Sequence, residues 1–455
     1  MRWWQMEKNL TTGSVVRNIF VFALPFFFSY FLQTLYGMAD LFIIGQFEGA
    51  ASITAVSVGS QVMHMITVML VGLAMGTTVM IAQAVGARNK ASVRASIGNT
   101  ITLFLLVAVV LAVVLVLGTE SIARWMSTPA EAVPGTCQYL FVCFLGIPLI
   151  TVYNIISAIF RGLGDAKSPM YFVAVACVGN ILLDYLFMGF WRLGPVGAAY
   201  GTLIAQGVSV VLALGYIAQK KAMAIAWSDL RPRQKVMGRL LRIGVPISLQ
   251  DGFIQIAFLV ITIIANMRGL TDAAAVGIVE KFISFVFLVP SSMLATVSAL
   301  GAQNIGAGKM VRARKTLWYA LDSCLIFGVV VSLLTQFTAD RIVGIFTQEP
   351  AVIVAGALYL QGYIFDCIFA GIHFSFSGFF CALGRSEFSF LHNLIAIVTA
   401  RIPLVWLASN WYPDTLFPMG LATCAGSVVS VVICLFFFWR LKGWGTKRHA
   451  FSSLK

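Results

Sequence analysis

Charge is what this sequence has least of. Only 11% of its 455 residues are Asp, Glu, Lys or Arg, and 60% are apolar, against roughly 25% and 45–50% in soluble domains. Mean hydropathy is +0.92. A water-soluble globular protein is excluded. Long polar tracts are missing too, which removes disorder and nucleic-acid binding as primary readings. The eight cysteines (Cys137, Cys143, Cys177, Cys324, Cys367, Cys381, Cys424 and Cys434) show no CxxC spacing and lie mostly in apolar runs. They read as small core hydrophobes rather than disulfides or metal ligands. His64, His373 and His392 are scattered without ligand spacing, so no resident metal is expected. Acids are scarcer than bases, 17 Asp+Glu against 31 Lys+Arg, for a formal charge of +14.

What is present is apolar length. A short polar segment, Met1–Asn18, precedes a run too long for a signal-peptide core and without a small-residue cleavage motif. That run reads as a first membrane span. Each span needs about 20 apolar residues, and hydropathy predicts twelve: 17–45, 51–84, 94–118, 133–159, 168–190, 195–219, 240–267, 272–303, 314–337, 351–380, 388–410 and 416–439. Several are long enough to require tilt.

Numbering the spans gives each cation a side. Twenty-five Lys and Arg collect on the side of the N-terminus, including Arg17, Arg88, Arg94, Arg161, Arg239, Lys309, Arg314, Arg385 and Arg440. Only Arg124, Arg192, Arg268 and Arg341 fall on the other, and Lys281 and Arg401 remain inside spans. The positive-inside rule then expects both termini in the cytoplasm of a multi-pass protein.

The chain also repeats. Ala82-Gln83-Ala84-Val85-Gly86-Ala87 and Arg94 match Ala302-Gln303-Asn304-Ile305-Gly306-Ala307 and Arg314 at an offset of 220. The same offset pairs Phe160, Leu163 and Gly164 with Phe380, Leu383 and Gly384, and Ala55-Val56 with Ala275-Val276. A basic polar stretch near 219–240 divides the halves. The expected domains are therefore an N-lobe, 1–225, with spans one to six and a cation or proton site, and a C-lobe, 226–455, with spans seven to twelve. Six spans per half keep both halves in the same orientation, an arrangement transporters use to hold a substrate site between repeats. The fold class is an all-α integral membrane protein of twelve helices in two pseudo-symmetric six-helix bundles.

Ionisable groups inside spans are costly and are functional candidates by default. Asp40 and Asp184 each lie about six residues before the outer end of an outward-running span. Gln33 and Tyr36 share a helical face with Asp40, and Asn180 shares one with Asp184. Thr202 falls at the same depth in span six. Two desolvated carboxylates brought together cannot both ionise cheaply, so the pair suits a proton or Na⁺ that it releases when opened to water. Separate hydrogen bonds to different neighbours are the bland alternative. Pro25 in span one, with Pro246 near the matching place in span seven, permits a bend. The second half carries Gln250, Asp251, Glu280, Lys281, Asp322, Asp366 and Arg401, but no counterparts of the two acids. Asp366 with Arg401, and Glu280 or Asp251 with Lys281, are expected to neutralise one another, as structural pairs or as substrate contacts. The 36 Phe and 17 Met supply soft apolar surface suited to lipophilic cations.

Two six-span halves, each with Ala-Gln-x-x-Gly-Ala followed by Arg, resemble the multidrug and toxic compound extrusion (MATE) family. Pro25…Gln33-x-x-Tyr36-x-x-x-Asp40, Phe160-Arg161-Gly162-Leu163-Gly164-Asp165 and Arg401-Ile402-Pro403 carry the same resemblance, which covers essentially the whole chain. It implies the MATE/MOP superfamily fold. It also implies that Asp40, Asp184, Asn180, Asn154, Tyr36 and Thr202 form the N-lobe cation site of the bacterial DinF-like branch, with Pro25 as its bending proline. The C-lobe carboxylate of the NorM-like branch has no clean match among Gln250, Asp251 and Gln255. Glu280-Lys281 and Asp366 resemble a bacterial subgroup of the DinF-like branch.

The expected function is a secondary multidrug efflux antiporter of the bacterial cytoplasmic membrane, exporting amphipathic, mostly cationic compounds in exchange for H⁺ or Na⁺. It would be a monomer in the lipid bilayer, use no cofactor beyond the coupling ion, and perform no enzymatic reaction. A lipid-linked saccharide flippase of the same superfamily is the alternative, but needs a strongly cationic cavity for a pyrophosphate. An integral-membrane enzyme would need clustered His or a Ser/His constellation within spans, and a channel would need a filter-like re-entrant segment. Neither is apparent.

Overall fold

A computed structural model describes residues 8–220 and 226–441. Arg2, Lys221, Lys442, Lys447, Arg448 and Lys455 of the expected basic rim lie outside these residues, as does the side chain of Lys220. Among the described residues every regular element is helical. The first half contains α1 (Val15–Phe47), α2 (Ala50–Gly86), α3 (Lys90–Leu117), the short α4 (Thr119–Trp125), α5 (Val133–Leu145), α6 (Ile147–Gly162), α7 (Lys167–Asp184) and α8 (Gly194–Lys220). The second contains α9 (Gln234–Asn266), α10 (Leu270–Val286), α11 (Leu288–Gly306), α12 (Met310–Gly344) and α13 (Pro350–Tyr363). It ends with α14 (Asp366–Ala382), α15 (Ser386–Ala396), α16 (Ile402–Trp411) and α17 (Phe417–Leu441).

Ten helical stretches are long and apolar enough to cross a membrane. Two further pairs, α5 with α6 and α13 with α14, bend by 48° and 42° and make twelve if each is one span. The twelve coincide with those read from hydropathy. The bends occupy the fourth span of each half, and in the first Pro148 sits two residues into α6, where a missing N–H is tolerated only at a helix start. Large apolar side chains such as Phe42, Val211 and Phe337 are 64–85% exposed, a surface that only lipid covers cheaply.

The motifs that revealed the repeat are helix terminators. At the end of α2, Arg88 N–H donates to Val85 O and Asn89 N–H to Ala84 O. At the end of α11 the same pair of bonds runs from Gly308 to Ile305 and from Lys309 to Asn304. α6 ends likewise with Gly164 to Arg161 and Asp165 to Phe160, and α14 with Gly384 to Cys381 and Arg385 to Phe380. These are four Schellman caps, which satisfy the carbonyls a helix end leaves orphaned. The motif needs a left-handed residue. Gly164, Gly308 and Gly384 supply it at φ 91°, 73° and 73°, whereas Arg88 is held at 55° despite its side chain.

Packing divides the chain into two compact units. One takes Phe20–Ser248 with the described part of Met1–Thr12, the other takes Leu249 onward with Gly13–Ile19. The first is centred on Ile43, Ile44, Val56, Tyr139, Phe144 and Ile147, the second on Ile261, Val276, Val279, Tyr359 and Tyr363. Val56 and Val276, partners at offset 220, thus take equivalent core places. The proposed lobe boundary at 225/226 abuts residues outside the description, and the packed units change over later, within α9. The linker explains this: Thr102 Oγ1 donates to Leu230 O at 2.7 Å, and Arg233 N–H donates to Asn99 Oδ1 at 2.7 Å, fastening it to α3. The start of α9 then lies against α2, where a Cβ on Gly76 would meet Leu240 O and one on Gly244 would meet Leu73 O.

Asp165, between α6 and α7, ties down the chain before α1. It accepts from Lys8 Nζ at 2.9 Å, Ser168 Oγ at 2.6 Å and Lys167 N–H at 3.1 Å. Burial alone raises its carboxyl, but Ser168, Lys8 and the Lys167 N–H outweigh burial and hold it below the ordinary carboxylate value. Stability from this group is therefore present above about pH 4 and lost as pH falls through its lowered value. The melting-temperature difference between the wild type and Asp165→Asn should shrink on acidification, and a difference independent of pH would refute the assignment. At the caps, Gly308→Ala should lower stability by about 1–2 kcal/mol from backbone strain alone, because a Cβ there meets nothing within 4 Å. Arg88→Gly should act in the opposite sense in the same thermal assay.

Candidate functional site

α1, α7 and α8 bring Asp40, Asp184, Asn180 and Thr202 together in the first unit. Asp40 and Asp184 are 2% and 0% exposed, and Asn180 is 1% exposed. Thr202 Oγ1 lies 3.3 Å from Asp40 Oδ2 and 3.5 Å from Asn180 Nδ2. Asp184 and Asn180 lie beside Asp40. Asp184 seats itself against Gly201 of α8, where a Cβ would collide with its Oδ1. Directly after Asp184 the helix widens into a π turn, Tyr185–Phe190. The fifth span of the second half widens similarly over Ile397–Arg401. Single π turns occur often at functional sites.

The ring is rich in acceptors and short of donors. Asp40 Oδ1, both oxygens of Asp184 and Asn180 Oδ1 are buried without a hydrogen-bond donor. Burying a carboxylate unpaired is costly. Tyr36, one turn before Asp40, is within electrostatic reach of it, as is Tyr153 of Tyr36. Asn154 is buried but donates its amide to Ile150 O, one turn earlier on α6, at 2.9 Å. It is hydrogen-bonded to neither carboxylate. Pro25 is buried within α1, which passes through it unbroken, and its carbonyl accepts from Ser29 Oγ at 2.8 Å.

The second unit neutralises its charge internally. Arg401 Nη2 meets Asp366 Oδ2 at 2.5 Å and donates to Ser427 Oγ at 3.1 Å, while its Nε donates to Thr423 O at 3.3 Å. The expected pair therefore forms. Glu280 accepts from Thr262 Oγ1 at 3.1 Å. Lys281 is exposed and reaches Glu280 only through the field. Among the described residues neither Glu280 nor Asp251, the two acids open to Lys281, forms an ion pair with it: adjacent helical residues point apart, and a hydroxyl from α9 is nearer to Glu280. Gln250, 1% exposed, accepts from Ser389 Oγ at 2.6 Å, and Asp251 is half-buried beside it in sequence. Asp322 is exposed on α12.

Two residues read as scattered are neighbours. The rings of His373 and His392 are 5.5 Å apart. His373 Nε2 lies 3.3 Å from Ser427 Oγ, and His392 lies between Ser377 and Ser430 at 2.8 and 3.2 Å. His373, Asn393, Arg401, Ser427 and Ser430 line a cavity of about 30 Å³, room for about one water molecule. Among the described residues no three His, Cys, Asp or Glu cluster as metal ligands. Sequence reading missed this network because α14, α15 and α17 supply it. A signal existed in Thr423, Ser427 and Ser430, a polar face at i, i+4 and i+7 in an otherwise apolar span.

Fold and site define a polytopic helical membrane protein built from two related six-span halves, with a buried carboxylate pair in the first. The chain belongs to the MatE family, whose profile matches residues 25–186 and 246–407, once in each half. It is 26% identical over 403 residues to the Bacillus subtilis (strain 168) protein named Probable multidrug resistance protein YpnP, covering 89% of this chain and 90% of that one. Two solved structures share its fold over 98% of this chain and all of theirs, at 22% identity. One is MATE in the straight conformation, with a TM-score of 0.90, and the other is MATE in the bent conformation, at 0.89.

The ion pair of the second unit has a measurable signature. Asp366→Asn leaves Arg401 buried without its counter-charge and should cost about 3–5 kcal/mol, whereas Asp366→Leu combined with Arg401→Leu should cost markedly less. Thermal unfolding of the purified variants decides this, and equal losses would refute the pairing argument.

Proposed function

We propose that the protein is a secondary active efflux antiporter, exporting amphipathic, mostly cationic compounds from the bacterial cytoplasm in exchange for H⁺ or Na⁺. The observation that carries the reading is the buried Asp40–Asp184 pair with its orphaned oxygens. One proton, held between the carboxylates, or one Na⁺ among Asp40, Asp184, Asn180 and Thr202 relieves that cost. Tyr36, one turn from Asp40, and Asn154 are assigned to the same site. The coupling ion is cargo here, not a resident cofactor. In the proposed cycle, ion binding favours a bent α1 at Pro25, reshapes the first unit and releases the drug outward. Ion release to the cytoplasm resets it.

The names of relatives support drug export, and the straight and bent conformations of the solved neighbours support a protein that changes shape. Acidic intramembrane groups favour cations as cargo. A flippase for lipid-linked saccharides is disfavoured because Arg401, one of two cations inside spans, is already engaged by Asp366. Gln250, Asp251, Glu280, Lys281, Asp366 and Arg401 are assigned a structural or substrate-contacting role in the C-lobe.

Asp40→Asn and Asp184→Asn should each abolish drug resistance while the protein remains in the membrane. Full resistance in either would overturn the site. Efflux from proteoliposomes under an imposed pH gradient, compared with an imposed Na⁺ gradient, identifies the ion.

A further inference from the structure

The motif Phe160–Asp165 does more than end a helix. Its arginine, Arg161, places its guanidinium carbon 4.8 Å from the centroid of the Phe26 ring. Phe26 is 4% exposed and follows Pro25 directly. Proline lacks the N–H that would bond Val21 O, so α1 is weakest at the turn this contact covers. Phe26 in turn packs on Tyr30, with ring centroids 5.1 Å apart.

The rest of the motif is anchored elsewhere. Gly162 is pressed against Ile81 of α2, and Asp165 is bound by Lys8 and Ser168. Arg161 therefore projects toward α1 from a fixed base. The same helix meets α1 again further along. Leu32 of α1 packs against the apolar cluster to which Tyr153, Ile156 and Phe160 of α6 belong. Tyr36 is one turn from Asp40. From Phe26 to Asp40 is roughly 21 Å of helix, and α6 reaches this stretch at two points.

We propose that Arg161 is a positioning residue whose stacking on Phe26 holds the proline-weakened part of α1 against α6 and so sets the ion affinity of the Asp40–Asp184 site. The proposal rests on the transport reading above. A cation–π contact of this burial is strong enough to change an equilibrium about fivefold. A rim cation serving only topology would have no such effect.

The test uses the full chain in proteoliposomes, with ethidium as the transported probe and the coupling ion varied. Phe26→Leu and Arg161→Gln should each raise the KM for the ion about fivefold while leaving Vmax within about twofold. The double variant should be no worse than either single one, and Phe26→Trp should retain the wild-type KM, because its ring still accepts the cation. An unshifted KM in Phe26→Leu, additive shifts in the double variant, or a Phe26→Trp protein that behaves like Phe26→Leu would each overturn the proposal. If Arg161→Gln fails to assemble, the two Phe26 variants decide the matter. Wild-type transport that does not need Asp40 would overturn both the site and this contact. Asp40-dependent transport with an unshifted KM in Phe26→Leu would overturn the contact alone.

Discussion

Backbone carbonyls and amides in a hydrocarbon layer have no water to fall back on, and the architecture follows from that. Each long span bonds its own backbone and must close its last turn before the chain reverses. Among the described residues, four span ends, after α2, α6, α11 and α14, close with the same pair of reversed hydrogen bonds, and the short α4 closes in the same way. Because the caps fix where those helices stop, they fix the depth at which the following spans present their side chains. The repeat motifs are therefore under backbone constraint first. What conserves their spacing between the halves is the geometry of a capped helix, with a left-handed residue after the last turn.

Charge inside the layer is handled by two different means. The second unit encloses Arg401 with Asp366 and surrounds the pair with Ser427 and the Thr423 carbonyl, so each charge has a partner. Such a pair resists change, since removing either member strands the other. The first unit brings two acids together, Asp40 and Asp184, with no cation beside them; orphaned carboxylate oxygens occur in both units, at Asp40 and Asp184 in the first and at Asp366 and Glu280 in the second. In the proposed reading, such a shell of oxygens around the two acids is expensive when empty of a cation and comfortable when filled. Related frames thus carry an ion pair in one half and two neighbouring acids in the other.

Much of the fold could be read directly. Twelve apolar runs, the offset of 220 and the sharp turns emerge from local composition, because a span must be apolar along its whole length whatever it packs against. Asp40 and Asp184 were legible for a similar reason: an acid in such a run is costly enough to stand out alone. Their meeting was inferred from depth, and the face shared by Asp40 with Tyr36 and by Asp184 with Asn180 comes from helical periodicity. Asn154 shows the limit, since its amide bonds its own helix, a choice that depends on a rotamer. The Glu280–Lys281 pairing shows another, because neighbours in a helix project to different sides.

The sequence by itself determined the spans and the duplication, and it set the expected depth of the acids and the expected side of the basic rim, all properties that accumulate along one chain segment at a time. The tertiary structure alone decided which isolated polar residues become neighbours. It set His373 beside His392, gave Glu280 to Thr262, seated Asp184 against Gly201 and laid Arg161 across Phe26. Each of those contacts joins different helices, and nothing in a helix's own pattern specifies the rotation at which it meets another. That rotation is settled by packing small residues and filling apolar space across the whole unit, and only the folded chain contains that information.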